Sequence, residues 1–275
     1  MNLRLTRRGL LAGVLAATTV SACSSAPGAA PAPTISFDPP GDAPLAVWEL
    51  TGGLSAPGTA ALRPPRLVVY GDGEAIADAT YRSRLDPDQL RGLATTLADD
   101  LRANAAEKKP TGTPSILDAP VTKLTVWSAS GTLTCSAEGL DELKPDHWYP
   151  AALYDARDRL ATVHKAVSAT AQPYLATRVR VVAVPALEGT AGGVAVGTPV
   201  AALPSASSAA AWPLGIALPS PDNEGLRRAD LDGDAARAAV RMLTRDLDQR
   251  GAWPTYRLQD GTVLRASWRY LLPNE

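Results

Sequence analysis

Three pairs of short apolar runs, each joined by a turn that contains glycine, limit most strongly what this chain can fold into. They occupy residues 66–77, turning at Asp72-Gly73, residues 121–137, turning at Ser130-Gly131, and residues 254–273, turning at Asp260-Gly261. Glycine supplies the positive φ angle that a tight hairpin turn requires. The sequence therefore predicts antiparallel β-hairpins rather than parallel strands joined by helices.

The last hairpin also has a predictable register. A three-residue loop with Gly261 in the left-handed conformation places Tyr256 opposite Leu264. Residues on the returning strand then alternate between apolar (Leu264, Ala266, Trp268, Tyr270, Leu272) and polar (Arg265, Ser267, Arg269). This alternation is typical of a sheet with one packed face and one solvated face.

Three helices are predicted among the hairpins. The first begins at Asp86, where Asp86 and Gln89 have the spacing of a reciprocal cap around Pro87. The others are predicted from Pro150 to about 168 and from Leu231 to about 249. The chain is therefore predicted to be an α+β domain, in which antiparallel β-hairpins form a sheet with about three helices on one face.

Residues 85–101 and 231–247 align without a gap, and each segment neighbours an Asp-Gly hairpin. Leu85, Asp86 and Asp88 match Leu231, Asp232 and Asp234, and further matches follow along both helices. One interpretation is that the domain contains two related hairpin-plus-helix units. The other is that two capped helices of similar length have converged on similar residues, and one short alignment leaves both open.

The first 22 residues have the order of a secretory signal. Three arginines are followed by an uncharged apolar run at 10–20 and by small residues at Ser21 and Ala22. The run is about half as long as a membrane-spanning helix needs to be. We therefore expect residues 1–22 to be a cleaved signal peptide.

Two motifs in this leader resemble known export signals. The segment around Arg7 and Arg8, Thr-Arg-Arg-Gly-Leu-Leu, resembles the twin-arginine export motif, with the general secretory route as the alternative. Val20-Ser21-Ala22-Cys23 resembles the bacterial lipobox. That resemblance implies that Cys23 is acylated and becomes the first mature residue, so that lipid (palmitate among the acyl chains) holds the protein to the membrane. The export signal and the final hairpin, which ends in Trp-Arg-Tyr-Leu-Leu-Pro at 268–273, are similar to those of actinobacterial secreted lipoproteins of unassigned function.

The remainder of the chain is expected to consist of a tether and one folded body. Residues 24–44 are dense in Ala, Pro, Ser and Gly and nearly free of charge, so that with Cys23 they form a disordered tether at 23–44. The globular α+β domain is expected to span 45–275. Within it, residues 185–211 are of low complexity and are predicted to form a long loop.

Charge and cysteine content exclude some classes of function. Residues 1–22 hold three of the 27 basic residues and none of the 28 acidic ones, so the mature chain has a net charge of about −4. An acidic body argues against nucleic acid as a partner. The chain has two cysteines, and acylation of Cys23 would leave Cys135 without a disulfide partner, as a buried thiol on a strand.

Candidate site residues are few. His147, Trp148 and Tyr149 form an aromatic loop that we interpret as a ligand platform, for example for a sugar, with a packed loop as the alternative. His164 is expected to be a partly buried structural histidine. The acids Glu138, Asp141 and Glu142 are a weak candidate for carboxylate-pair hydrolysis.

The sequence provides no catalytic or metal-binding motif that would name a reaction. Residues 230–234 resemble the opening of a calcium loop, but Ala235 and Arg241 stand where the EF-hand requires Gly and Glu. We therefore assign no catalytic residue, no metal and no cofactor. The expected function is that of a lipid-anchored extracytoplasmic protein, non-enzymatic, that binds an envelope protein or a glycan. The alternatives are a solute- or glycan-binding lipoprotein and a carboxylate-dependent hydrolase.

Overall fold

The structure is a computed structural model that describes residues 39, 41–56, 58–102, 110–128, 131–186, 209–213 and 215–275. All of them belong to one compact unit, Ser36–Glu275. The strands form two sheets. The first sheet contains β1 (Pro44–Gly52), β2 (Leu67–Tyr70), β3 (Glu74–Ala77), β4 (Tyr81–Arg84), β5 (Pro120–Ser128) and β6 (Gly131–Glu138). The second contains β7 (Val179–Pro185), β8 (Ala210–Ala211), β9 (Arg227–Leu231), β10 (Thr255–Arg257) and β11 (Val263–Tyr270).

The strand order is β4-β3-β2-β1-β5-β6 in the first sheet and β8-β10-β11-β7-β9 in the second. All neighbours are antiparallel except β8 and β10, which are parallel. The α-helices are α1 (Thr59–Leu62), α2 (Pro87–Arg102), α3 (Ala151–Ala169) and α4 (Gly233–Arg250), and Lys144–Asp146 is a 3₁₀ turn. The predicted α+β class is confirmed, and the structure adds that the strands are divided between two sheets.

Each sheet packs one of its faces against helices and forms a separate hydrophobic core there. Helices α2 and α3 cover one face of the first sheet, where Leu97 and Leu160 are packed with Leu124 of β5. Helix α4 covers one face of the second sheet, where Leu243 is packed with Tyr256. These side chains are fully buried. Helices α2 and α4 have the apolar stripe that such one-sided burial requires.

The predicted cap of helix α2 is confirmed. The Asp86 carboxylate accepts hydrogen bonds from the backbone N–H of Asp88 (3.0 Å) and Gln89 (2.8 Å). In return, the Asp86 N–H donates to Oε1 of Gln89 at 3.1 Å. Both interactions provide acceptors for backbone N–H groups that have no partner within the helix, which is why the helix begins here.

The three hairpins also follow the sequence. Tyr256 pairs with Leu264, and Gly261 has a φ of 87°, as the three-residue loop requires. The face of β11 that carries Arg269 is not the solvated face that the alternation predicts, because helix α1 packs across β7 and β11. Gly58, just before that helix, would place a Cβ within 2.9 Å of Val184 on β7.

The two aligned segments 85–101 and 231–247 share a strand followed by a helix, but their surroundings differ. Asp232 makes no side-chain hydrogen bond at the start of α4, unlike Asp86 at α2. The Asp-Gly hairpin beside the first segment, β2–β3, precedes its helix α2, whereas the one beside the second segment, β10–β11, follows its helix α4. Duplication of one hairpin-plus-helix unit does not by itself produce this difference.

A smaller apolar cluster connects the first sheet to the segments at 173–176 and 271–275. It joins Val68 and Ile76, on the face of the sheet away from helices α2 and α3, to Tyr174 and Leu272. The Tyr174 hydroxyl donates to the backbone carbonyl of Leu271 at 2.8 Å. This contact holds residues 271–275 against both sheets.

In the part of the chain described here, no helix combines the length and the apolar character that crossing a bilayer requires. Most of the low-complexity segment 185–211 lies outside the described residues. At its ends, Pro185 closes β7 and Ala210–Ala211 form β8 beside β10.

Candidate binding groove between the two sheets

Three charged residues lie side by side across the second sheet. Arg269 on β11 is directly opposite Arg180 on β7, and Arg180 is directly opposite Asp230 on β9. Like charges in directly opposed positions destabilise a sheet. The two arginines therefore require a carboxylate partner each, and both have one.

Glu275 supplies the partner of Arg269. The two terminal nitrogens of Arg269 donate to the two Glu275 oxygens at 2.6 and 2.7 Å, in a bidentate pair. Arg180 donates to the same carboxylate at 3.4 Å, and the Leu272 N–H donates to it at 3.0 Å. Burial alone would raise the pKa of Glu275, but these hydrogen bonds hold it below its usual range.

Asp230 supplies the partner of Arg180. Nε and Nη2 of Arg180 donate to the two Asp230 oxygens at 2.8 and 2.9 Å. This bidentate pair lowers the pKa of Asp230. The side chains of Arg180 and Arg269 are only 15% and 10% exposed, so the network is a largely desolvated feature of the fold.

A cleft of about 380 Å³ lies beside this network, between the end of β1, the segment 60–65 and the second sheet. Arg180 and Arg269 line it together with Glu275, and Arg63 and Arg228 line it as well. Arg63 donates one hydrogen bond, from Nη1 to the carbonyl of Gly52 at 2.7 Å. Arg228 is exposed and has no hydrogen bond or ion pair with any described residue.

A second cleft, of about 390 Å³, adjoins the first. The two share Leu50, Gly52, Arg63 and Pro64 as lining residues. The second is also lined by Arg66 and by two aspartates, Asp78 and Asp118. We call the two clefts together the arginine groove.

Behind the second cleft, Asp78 is fixed by two partners. One carboxylate oxygen accepts from Arg66 at 2.9 Å, and the other is 2.6 Å from Nε2 of His164. The His164 ring packs edge-on against Trp48, and Arg66 and Arg157 lie over the Trp48 ring. The His164 side chain is 15% exposed, consistent with the predicted structural histidine. Both oxygens of Asp78 are therefore engaged within this cluster.

The predicted aromatic platform is placed elsewhere, on the loop before α3. His147 is exposed, Trp148 is half-buried and Tyr149 is buried. The Tyr149 hydroxyl donates to the carbonyl of Glu138 at 2.8 Å, and its ring packs against Tyr154. His147 also contacts Tyr154 with its ring edge. The three side chains therefore do not share one exposed surface, although they are neighbours.

The other predicted residues do not converge on the groove. Asp141 pairs with Arg157 at 2.7 Å, and Glu142 is exposed. Cys135 is buried in β6. Among the described residues, no group of three histidine, cysteine or acidic side chains is positioned to hold a metal ion. Cys23, Arg7 and Arg8 lie outside the residues that the structure describes.

Sequence reasoning missed the arginine groove because its residues are far apart in the chain. Glu49, Arg63, Arg180, Arg228 and Glu275 come from five separate segments. A local signal exists only at 178–181, where arginine alternates with valine, and that pattern also fits an ordinary solvated face. Comparison of the chain with protein-family models, with curated proteins and with solved structures found no match.

Chemically, the groove offers guanidinium donors, backbone carbonyls and a few apolar side chains. Arginine presents five N–H donors in a fixed planar arrangement that matches carboxylate and phosphate groups. Arg228 and most of the Arg63 donors remain open to a ligand. The arrangement therefore favours recognition of a polar, negatively charged group.

Proposed function

We propose that this protein is an extracytoplasmic lipoprotein of the cell envelope, anchored through lipid on Cys23, whose folded body is a non-enzymatic binding module. The anchor rests on the order of arginines, apolar run, small residues and cysteine at the start of the chain. The first strand begins at Pro44, which leaves about 20 residues, mostly Ala, Pro, Ser and Gly, between Cys23 and that strand.

The arginine groove is the observation that carries the binding role. It combines two adjoining clefts of about 380 and 390 Å³ with arginines whose donors are partly free. Clefts of this size suit small ligands. A carboxylate-dependent hydrolase is the weaker alternative, because the predicted acids Glu138, Asp141 and Glu142 do not line this groove.

Fractionation of cells that express Cys23→Ser tests the anchor. We expect the wild-type protein in the membrane fraction and the variant in the soluble extracytoplasmic fraction, since about 0.8 kcal/mol per buried methylene of acyl chain is lost. Cys135→Ser is the matched control, because Cys135 is the other cysteine of the chain and should leave membrane attachment unchanged. Membrane retention of Cys23→Ser would refute the anchor.

A further inference from the structure

The cleft beside β7 and β11 already holds one carboxylate from the protein itself. Glu275 is bound there by a bidentate contact from Arg269, by Arg180 and by a backbone N–H. This set of donors is the same set that would recognise a carboxylate from a separate molecule. The position is therefore a built carboxylate site whose occupant belongs to the chain.

Two further arginines line the same cleft and have N–H donors that are not used within the described residues. Arg228, on the edge strand β9, makes no hydrogen bond or ion pair with a described residue, although its charge helps to lower the pKa of Asp230, and Arg63 uses one nitrogen on Gly52. The acids that line the cleft do not neutralise them, because Glu49 pairs with Lys123 at 2.8 Å and Glu275 pairs with Arg269 and Arg180. A local positive charge thus remains on a body that is acidic overall.

The cleft also limits the kind of anion that fits. Its volume of about 380 Å³ is in the range of small-ligand sites. Its lining includes no aromatic side chain, so stacking of a flat ring is not its recognition mode. A small, polar, acyclic or saturated anion is the best match.

We propose that this cleft binds a small organic carboxylate through the free donors of Arg63 and Arg228, beside the carboxylate of Glu275, whose charge repels the ligand. The proposal rests on the binding role proposed above and names its ligand class. Because Glu275 and the ligand present the same group to the same wall of the cleft, the Glu275 charge weakens binding of the ligand.

Equilibrium dialysis of the purified full chain with radiolabelled succinate tests the proposal. We expect succinate to bind and its uncharged analogue succinamide not to compete. Arg228→Gln should weaken binding about tenfold or more, as expected from loss of a charge-assisted hydrogen bond. Arg241→Gln is the matched control, because Arg241 is an exposed arginine of α4 with no ion pair among the described residues, and it should bind succinate normally.

Glu275→Gln removes the internal charge with little change of shape and should tighten succinate binding severalfold. The proposal would be overturned if succinamide displaced the labelled succinate as well as unlabelled succinate does. It would also be overturned if Arg228→Gln bound succinate as tightly as the wild type. Binding of inorganic phosphate in place of succinate would also overturn it, by moving the ligand class from carboxylates to phosphates. Membrane fractionation of the same protein separates the proposed lipid anchor from the proposed carboxylate site. Absence of succinate binding together with normal membrane attachment refutes the carboxylate site alone.

Discussion

Replacement of Glu275 by glutamine tests whether the arginine–glutamate network is a structural element of the groove. Glu275→Gln keeps the volume of the side chain and one oxygen acceptor but removes the negative charge. Arg269, whose side chain is 10% exposed, then loses its bidentate partner and remains opposite Arg180. The variant should therefore fold less stably than the wild type.

The expected loss of stability follows from the burial of the Arg269–Glu275 ion pair. Removing one partner of a fully buried ion pair costs about 3–5 kcal/mol. The Glu275 side chain is 21% exposed and the glutamine oxygen retains one hydrogen bond, so we expect about 2 kcal/mol. For a body of this size, a loss of that magnitude lowers Tm by about 4–8 °C.

Urea denaturation at neutral pH measures this loss, and repetition at lower pH provides a second check. The folded pKa of Glu275 lies below its unfolded value, so its contribution is full above about pH 5 and is lost as pH falls through the folded pKa. The difference in free energy of unfolding between the wild type and Glu275→Gln should therefore shrink as the pH falls below about 5. Glu142→Gln, at an exposed glutamate, is the control and should be neutral. A Glu275→Gln variant as stable as Glu142→Gln would refute the reasoning.

Three further predictions concern the fold. Asp86→Ala should lower the free energy of unfolding by about 1 kcal/mol, because the N–H of Gln89 loses its acceptor; an unchanged urea midpoint would contradict it. Burial raises the pKa of Tyr174 to about 12, so the stability from its neutral hydroxyl is full below about pH 10 and is lost as pH rises through 12; a phenolate signal near pH 10 that is present in the folded protein and absent from Tyr174→Phe would disagree. Cys135 should react with a thiol reagent only after unfolding, and rapid labelling of the native protein would count against its burial.

Local elements of the fold could be predicted from the sequence because their signals are local. The cap at Asp86 and the left-handed glycine at Gly261 each act within a few residues, and both are present in the structure. The register of Tyr256 opposite Leu264 followed from the loop length alone. Backbone sterics and short-range hydrogen bonds determine such features without help from the rest of the chain.

The division into two sheets and the position of the groove could not be predicted in the same way. Arg269 and Arg180 face each other only because β11 pairs with β7 across a long separation in the chain. The alternation of β11 predicted a solvated face, and the short helix α1 that covers it has no apolar periodicity long enough to detect. Asp78 and His164 are 86 residues apart, and nothing in either local segment indicates that they meet.

The aromatic loop at 147–149 shows a related limit. Composition indicated a cluster of rings, and the rings are indeed neighbours, but composition does not say which ring edges remain exposed. Tyr149 is buried because its hydroxyl reaches the carbonyl of Glu138. The platform therefore remains a prediction for His147 and Trp148 only.

The most direct test of the account is mass spectrometry of the amino-terminal peptide of the protein purified from its membrane. The account predicts that the chain begins at Cys23 and carries the added mass of a diacylglycerol on that thiol. A chain that begins elsewhere, or a Cys23 that carries no lipid, would contradict it.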